Sequence, residues 1–284
     1  MITAHWQFDP SQVIPVLLLA VAYQMRVRTL AARGRPVPLA RVVSFDSGLL
    51  VLLLALVSPI DWYGENRLLW VHMTQHLLLG DIAPVLILAG LTGPVLRPLI
   101  AIGWVRRMRS LAHPLVALPL WIVDLYAWHF PFLYQAALRH DGIHALEHLC
   151  FLSFGALMWA ALIEPLPGPA WFSNGWKAIY ILVVRGAGML LANVFLWENH
   201  PLYPYYVAVQ RGRGISTMSD QRAAGVVMLI EGSIVTVLAF GWMFIRLIRE
   251  LEVRQRLIEL EVDESRAARA ARYGRSAQAR DLSP

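Results

Sequence analysis

Residues 68–90 read LLWVHMTQHLLLGDIAPVLILAG, and this stretch decides the class of the protein. A helix needs about 20 mainly apolar residues to cross a bilayer, and apart from two histidines Asp81 is the only ionisable residue here. The stretch is not isolated, because 57% of the 284 residues are hydrophobic and only 15% are charged. The mean hydropathy is +0.52. Since soluble domains usually carry about 25% charged residues, the sequence predicts an integral membrane protein.

The chain as a whole predicts an all-α polytopic membrane protein with about seven transmembrane helices. Helices are required because backbone polar groups in lipid must be satisfied within their own segment. The predicted spans are residues 11–27, 42–60, 68–90, 114–130, 144–163, 178–197 and 223–248. We expect a seven-helix transmembrane domain over residues 1–248. A charged cytoplasmic tail over residues 249–284 is expected to be helical at first and disordered after Tyr273.

The arginines predict the orientation of these helices. Five lie around the first loop and four in the third, whereas the second and fourth loops have one each. By the positive-inside rule, loops one and three and the C-terminus are cytoplasmic and the N-terminus is outside. Three arginines in the sixth loop weaken this pattern without reversing it. No basic residue precedes the first span, so we expect a retained helix rather than a signal peptide. The formal charge of +6 therefore reflects topology, and no nucleic-acid partner is expected.

The histidines are the strongest functional signal. On the predicted topology eight of the nine lie towards the outer side, and His113 is the exception. Two pairs have i,i+4 spacing, which puts both imidazoles of a pair on one helix face where they can converge on one ion. Another histidine closes the fourth span beside the same leaflet. Ionisable groups inside spans are costly and therefore functional candidates. The candidate metal ligands are His72, His76, His129, His144 and His148.

The neighbouring residues narrow the kind of metal site only partly. Imidazole suits copper, zinc, iron and nickel, and a thioether favours Cu(I). Met73 adjoins His72, but consecutive helical residues point about 100° apart, so it need not share the site. Glu147 lies between the fifth-span histidines, on a face that we expect to differ from both. It either accepts a hydrogen bond from an imidazole or faces the outer interface. Cys150 is the only cysteine, which excludes an internal disulfide and a CxxC site.

A second set of ionisable residues lies deeper in the predicted spans and consists of Asp81, Asp124, Arg185 and Glu231. An unpaired charge there would be expensive, so we expect Arg185 to neutralise Asp81 or Asp124. The set forms either an interior ion pair that holds the helices together or a path for protons or ions.

Three blocks of sequence carry a resemblance to a known family. They are His72–Leu79 continuing through Ala83-Pro84 to Gly90, then Trp128–Pro131 with Tyr134, Ala137-Leu138, His144–His148, Phe151-Leu152, Gly155 and Trp159, and finally Asp220-Gln221, Ala224-Gly225 and Met228. In these blocks, which cover spans three to five and the start of span seven, the chain resembles the CtaG-type assembly factors of caa3-type cytochrome c oxidase. At Leu229 and Glu231 it departs from the Trp and Pro that the family tends to have, which removes the basis for a kink there.

The resemblance implies a seven-helix protein of the bacterial cell (inner) membrane that serves the respiratory chain by assembling haem–copper oxidases. It implies roles for the five histidines in binding copper and delivering it to the oxidase. We therefore expect a metallochaperone rather than an enzyme, with cytochrome c oxidase subunits and the lipid bilayer as partners.

Three alternatives remain open. A haem-binding membrane electron-transfer protein would use histidines from two helices as axial ligands. A metal-ion transporter would use the deeper ionisable residues as its path. A membrane di-iron hydroxylase is disfavoured because the chain has no HxxHH element and its HxxxH pairs are predicted to face outwards.

Overall fold

The structure is a computed structural model that describes residues 5–260 and 263–273. All regular secondary structure in these residues is helical, which confirms the all-α class. The longer helices are α1 (Pro10–Ala32), α2 (Leu39–Val57), α8 (Pro114–His129), α10 (Asp141–Ile163), α11 (Asn174–Trp197) and α13 (Thr217–Glu259). The shorter ones are α3 (Pro59–Asn66), α4 (Leu69–Leu77), α5 (Ala83–Gly90), α6 (Gly93–Ile100), α7 (Gly103–Met108), α9 (Pro131–Ala137), α12 (Pro204–Gln210) and α14 (Glu264–Tyr273).

Six segments are long and apolar enough to cross a membrane, namely α1, α2, Leu69–Gly90, α10, α11 and α13. These confirm six of the seven predicted spans and a multi-pass membrane protein. The fourth predicted span corresponds to α8, which has 16 residues. At 1.5 Å per residue α8 is about 24 Å long, short of a hydrocarbon core of about 30 Å. It counts as a seventh span only together with Gly103–Ala112, from which it is bent by 77°.

The third span is interrupted by a π-helix, Leu78–Ile82, between α4 and α5. Pro84 explains the interruption, because it has no N–H to donate to the Gly80 carbonyl four residues earlier and its ring crowds that carbonyl. Helix α10 crosses at this point. A Cβ atom at Gly155 would lie 2.0 Å from the Gly80 oxygen, so only glycine allows this approach. The contact holds α10 directly against the third span, the two helices that carry the histidine pairs.

The described residues fall into two compact units. The first contains Met1–Gly168 and Val184–Gly232, of which the structure describes the residues from 5 onwards. In this unit α10 packs against α5, α8, α9 and the π-helix, while α2 packs against α5. One apolar core involves α1, α2 and the third span, and another surrounds Tyr134, Tyr203 and Phe195.

The second unit contains Pro169–Val183 and the described residues after 232. The Asn174 side chain donates to Glu250 Oε2 at 2.9 Å, and Arg254 pairs with Glu264. The predicted boundary between residues 248 and 249 falls inside α13, which continues to Glu259. That division of the chain stays a prediction, and the disorder predicted after Tyr273 lies outside the described residues.

Candidate metal centre

Four of the five predicted ligands meet in one buried cluster. One ring nitrogen from each of His72, His76, His144 and His148 lies within 4.8 Å of the others. The first two come from α4 and the other two from α10, and all four side chains are buried. Neighbouring rings are close, with centroids 4.0 Å apart for His144 and His148 and 4.3 Å apart for His72 and His76. A buried histidine cluster of this kind could hold a metal ion.

The fifth predicted ligand, His129, lies beside this cluster at the end of α8. Its ring centroid is 6.3 Å from that of His76. The remaining histidines lie elsewhere. His5 stacks on Trp62, His113 lies at the opposite end of α8, and His140 and His200 are exposed.

The position of α4 depends on contacts from distant parts of the chain. Asp220 at the start of α13 accepts hydrogen bonds from the backbone N–H groups of Leu69 and Trp70, at 2.8 and 3.2 Å. These are two of the otherwise unpaired donors at a helix N-terminus, so Asp220 caps the helix that carries the first histidine pair. Helix α3 packs closely on the same helix, because a Cβ atom at Gly64 would lie 2.9 Å from the Cα atom of His72.

Hydrogen bonds determine which nitrogen of His72 is available to a metal. Its Nδ1 lies 3.1 Å from the hydroxyl of Tyr206, which itself donates to the Gly64 carbonyl at 2.7 Å. A phenol has one proton to donate, so Tyr206 accepts from Nδ1–H and leaves the Nε2 lone pair of His72 free. Burial raises the pKa of Tyr206 well above its usual value, and the phenol therefore keeps that proton.

The same logic applies to two further histidines. Nδ1 of His144 lies 2.6 Å from a carboxylate oxygen of Glu65, and Nδ1 of His129 lies 2.6 Å from the Leu125 carbonyl. Both partners accept the ring proton, so Nε2 is the free nitrogen in each ring. Nε2 of His72, of His144 and of His129 is buried and has no hydrogen-bond partner among the described residues. An acceptor on the second ring nitrogen is the usual way in which proteins orient a metal-binding histidine.

His76 and His148 differ, because neither ring nitrogen of either residue has a hydrogen-bond partner in the described part of the chain. Leaving such buried polar groups unsatisfied costs about 1–3 kcal/mol each. Glu147 belongs to the same group. Its side chain is fully buried, one carboxylate oxygen lies 3.8 Å from His76 Nε2, and neither oxygen has a hydrogen-bond partner. A cation among these groups would satisfy both the nitrogens and the carboxylate.

The expectations for Glu147 are therefore corrected in two respects. It does not face the outer interface, and it does not lie on a different helix face from both histidines, because residues i and i+3 are neighbours on a helix. Met73 is buried in the apolar cluster that contains Leu69 and Tyr134.

The deeper ionisable residues have separate surroundings. Trp159 donates to Asp81 at 2.8 Å, and Arg185 donates to the Leu229 carbonyl at 3.1 Å. The Arg185 guanidinium also acts electrostatically on Glu231. One oxygen of Asp124 is buried without a hydrogen-bond partner among the described residues. The predicted neutralisation of Asp81 or Asp124 by Arg185 stays a prediction.

Sequence reasoning missed three residues that contact the cluster or its ligands from outside the spans, namely Asp61, Glu65 and Tyr206. Asp220 was part of the third block of the resemblance, but its role in capping α4 was not foreseen. Gln75, which is fully buried, donates to Asp61 at 2.6 Å, and burial with the nearby charge of Glu65 raises the pKa of Asp61 to about 6. The i,i+4 spacing of Asp61 and Glu65 just before the third span is the one signal that could have pointed to them.

Comparison with known proteins identifies the family of the chain. The family model for the cytochrome c oxidase caa3 assembly factor matches residues 21–250. Uncharacterized protein Mb0105 of Mycobacterium bovis and Uncharacterized protein MT0111 of Mycobacterium tuberculosis are each 29% identical over 182 residues. Each alignment covers 58% of this chain but only 27% of the relative. Uncharacterized protein ML1998 of Mycobacterium leprae is 27% identical over the same length. No solved structure matches.

Proposed function

Because the chain belongs to the caa3 cytochrome c oxidase assembly factor family, we propose that it carries copper as cargo on its buried histidines and delivers it to an oxidase subunit. It acts without catalysing a reaction, in the bacterial inner membrane, with the histidine cluster towards the outer face. The single observation that carries this proposal is the group of four ring nitrogens within 4.8 Å of one another.

The donor chemistry supports copper as the cargo. An all-imidazole set suits copper, zinc, iron and nickel, and among the divalent ions copper binds such sites most tightly. His72 and His144 in the cluster, and His129 beside it, are already oriented, since Tyr206, Glu65 and the Leu125 carbonyl each accept the Nδ1 proton of one of these rings. A preorganised set loses little entropy on binding. The haem alternative gains no support, because the rings contact one another edge to face and leave no gap for a flat macrocycle.

Copper content of the purified, detergent-solubilised protein tests the proposal. His72→Ala with His144→Ala removes one ligand from each helix, and we expect bound copper to fall at least tenfold, since such a loss exceeds that of an outer-shell partner. The matched control is His140→Ala with His200→Ala, which removes two exposed histidines outside the cluster. Copper retained by the first variant, with normal oxidase activity in cells that express it, would rule out the metal-carrying role.

A further inference from the structure

We propose that Asp61, Glu65 and His144 form a second, outer cation station through which an ion reaches the buried histidine cluster. One donor atom from each of the three lies within 4.8 Å of the others. The inference rests on the proposed function, because the histidine cluster is where the ion goes next. The ligands of the outer station are two carboxylates and one imidazole, a set that suits a divalent first-row cation such as Cu²⁺.

The surroundings of Asp61 are those of a binding site rather than of an ordinary helix surface. Its side chain is only 5% exposed, and it lies beside a second carboxylate on the same helix, α3. Gln75 donates to Asp61 Oδ1 at 2.6 Å and to the Ala55 carbonyl at 3.0 Å. Oε1 of this fully buried Gln75 side chain has no partner among the described residues. The two adjacent carboxylates carry negative charge that a cation would offset, and the neutral amide oxygen of Gln75 is a further unpartnered acceptor beside Asp61.

His144 connects this station to the histidine cluster. Its Nδ1 faces Glu65 at 2.6 Å, while its Nε2 is buried without a partner in the described chain. On the cluster side, its ring centroid lies 4.0 Å from that of His148 and 5.4 Å from that of His72. We therefore assign Nδ1 of His144 to the outer station, where it faces Glu65, and its unpartnered Nε2 to the histidine cluster.

A neutral imidazole has one lone pair, so His144 serves one set at a time. With an ion in the outer station, Nδ1 coordinates and the proton is on Nε2. With an ion in the cluster, Nε2 coordinates and Nδ1 carries the proton, which the Glu65 carboxylate accepts as a hydrogen bond. Moving the ion inwards thus requires one proton to change nitrogen and involves no change of oxidation state.

The exposed fractions of the side chains indicate the direction in which an ion would move along this path. The Glu65 side chain is 27% exposed, whereas that of His144 is 9% exposed. His72, deeper in the cluster, is fully buried. Glu65 is thus the ligand that an incoming ion meets first, and the all-imidazole set follows.

The decisive experiment removes the cluster and keeps the outer station. In His76→Ala with His148→Ala, equilibrium dialysis of the full-length protein in detergent against Cu²⁺ should still find one ion per chain. Adding Glu65→Gln should weaken that ion's binding by at least about tenfold. The control addition is Glu198→Gln, whose carboxylate contacts the exposed His200, and it should change nothing.

The outcomes separate the two proposals. Wild-type protein that binds no copper overturns both. Two outcomes would overturn the outer station alone, provided that the wild-type protein binds copper. In the first, the double-alanine variant binds no copper. In the second, adding Glu65→Gln to the double-alanine variant leaves its copper affinity unchanged. If the double-alanine variant aggregates, Asp61→Asn in the otherwise wild-type chain provides the test. Stopped-flow loading with Cu²⁺ should then slow at least tenfold at unchanged final copper content, and an unchanged loading rate would overturn the inference.

Discussion

Replacing Tyr206 by phenylalanine is the most informative single change, because it removes one hydroxyl and leaves every candidate ligand in place. That hydroxyl accepts from His72 Nδ1 at 3.1 Å and donates to the Gly64 carbonyl at 2.7 Å. Without it the His72 ring loses the partner that holds its proton on Nδ1. The ring can then turn or exchange tautomers, and Nε2 is no longer held ready for an ion.

The expected magnitudes follow from these two bonds. Loss of an outer hydrogen-bond partner of a metal-binding histidine costs about 10–100-fold in affinity, which corresponds to about 1.4–2.7 kcal/mol. The metal-free protein should also be less stable, because each buried group left without a partner costs about 1–3 kcal/mol. Competition between the purified protein and a chromophoric copper chelator measures the affinity, and thermal unfolding in detergent measures the stability.

Tyr134→Phe provides the matched control. Its hydroxyl contacts that of Tyr206 at 3.4 Å, and among the described residues it has no hydrogen bond to a histidine. We expect this variant to bind copper nearly as well as the wild type. Equal affinities for wild type, Tyr134→Phe and Tyr206→Phe would refute the idea that Tyr206 holds His72 in its metal-binding form.

Three further predictions concern the framework of the centre. Asp220→Ala should destabilise the protein by about 1–2 kcal/mol through loss of the α4 cap, and it should also weaken copper binding in the chelator competition. The control is Asp9→Ala, which removes the exposed cap of α1 and should leave copper binding unchanged in the same competition. Gly155→Ala should abolish or strongly lower the yield of folded protein on gel filtration, because the new methyl group would overlap the Gly80 carbonyl of the π-helix. Gly142→Ala on the same helix should be tolerated, because the space around Gly142 is open. Burial raises the pKa of Asp61 to about 6, so folding favours its protonated form, and the metal-free protein should lose stability as pH rises from about 4 to about 6. Asp61→Asn should make that pH dependence of thermal unfolding shallower, and an equally steep profile would contradict the assignment.

The membrane-spanning helices were predictable because hydropathy is a local property of the sequence. The meeting of His72 and His76 with His144 and His148 was predictable in outline, since i,i+4 spacing and helix direction carry both pairs to one end. The bounds of the fourth span were predicted to within one residue, but apolar content did not show that α8 counts as a span only together with Gly103–Ala112, from which it is bent by 77°.

The side-chain partners of His72 and His144 were not predictable, because they come from short helices between the spans. Tyr206 lies on α12 and Glu65 on α3, and no local pattern says which ring either will contact. The contact between Glu147 and His76 was not predictable for a different reason. Its i+3 relation to His144 already placed it on the same side of α10, but only the packing of α4 brings it to 3.8 Å from His76.

The cap on α4 has a consequence for how the protein is made. Asp220 follows Leu69 by 151 residues, so the ribosome synthesises the helix with the first histidine pair long before the residue that completes its N-terminus. Until α13 enters the bilayer, that helix end lacks the acceptor for these two N–H groups, and its histidines are not yet held in place. If the proposed function holds, we therefore expect copper capture to follow the synthesis of α13 and to be absent from a nascent chain that stops before Asp220.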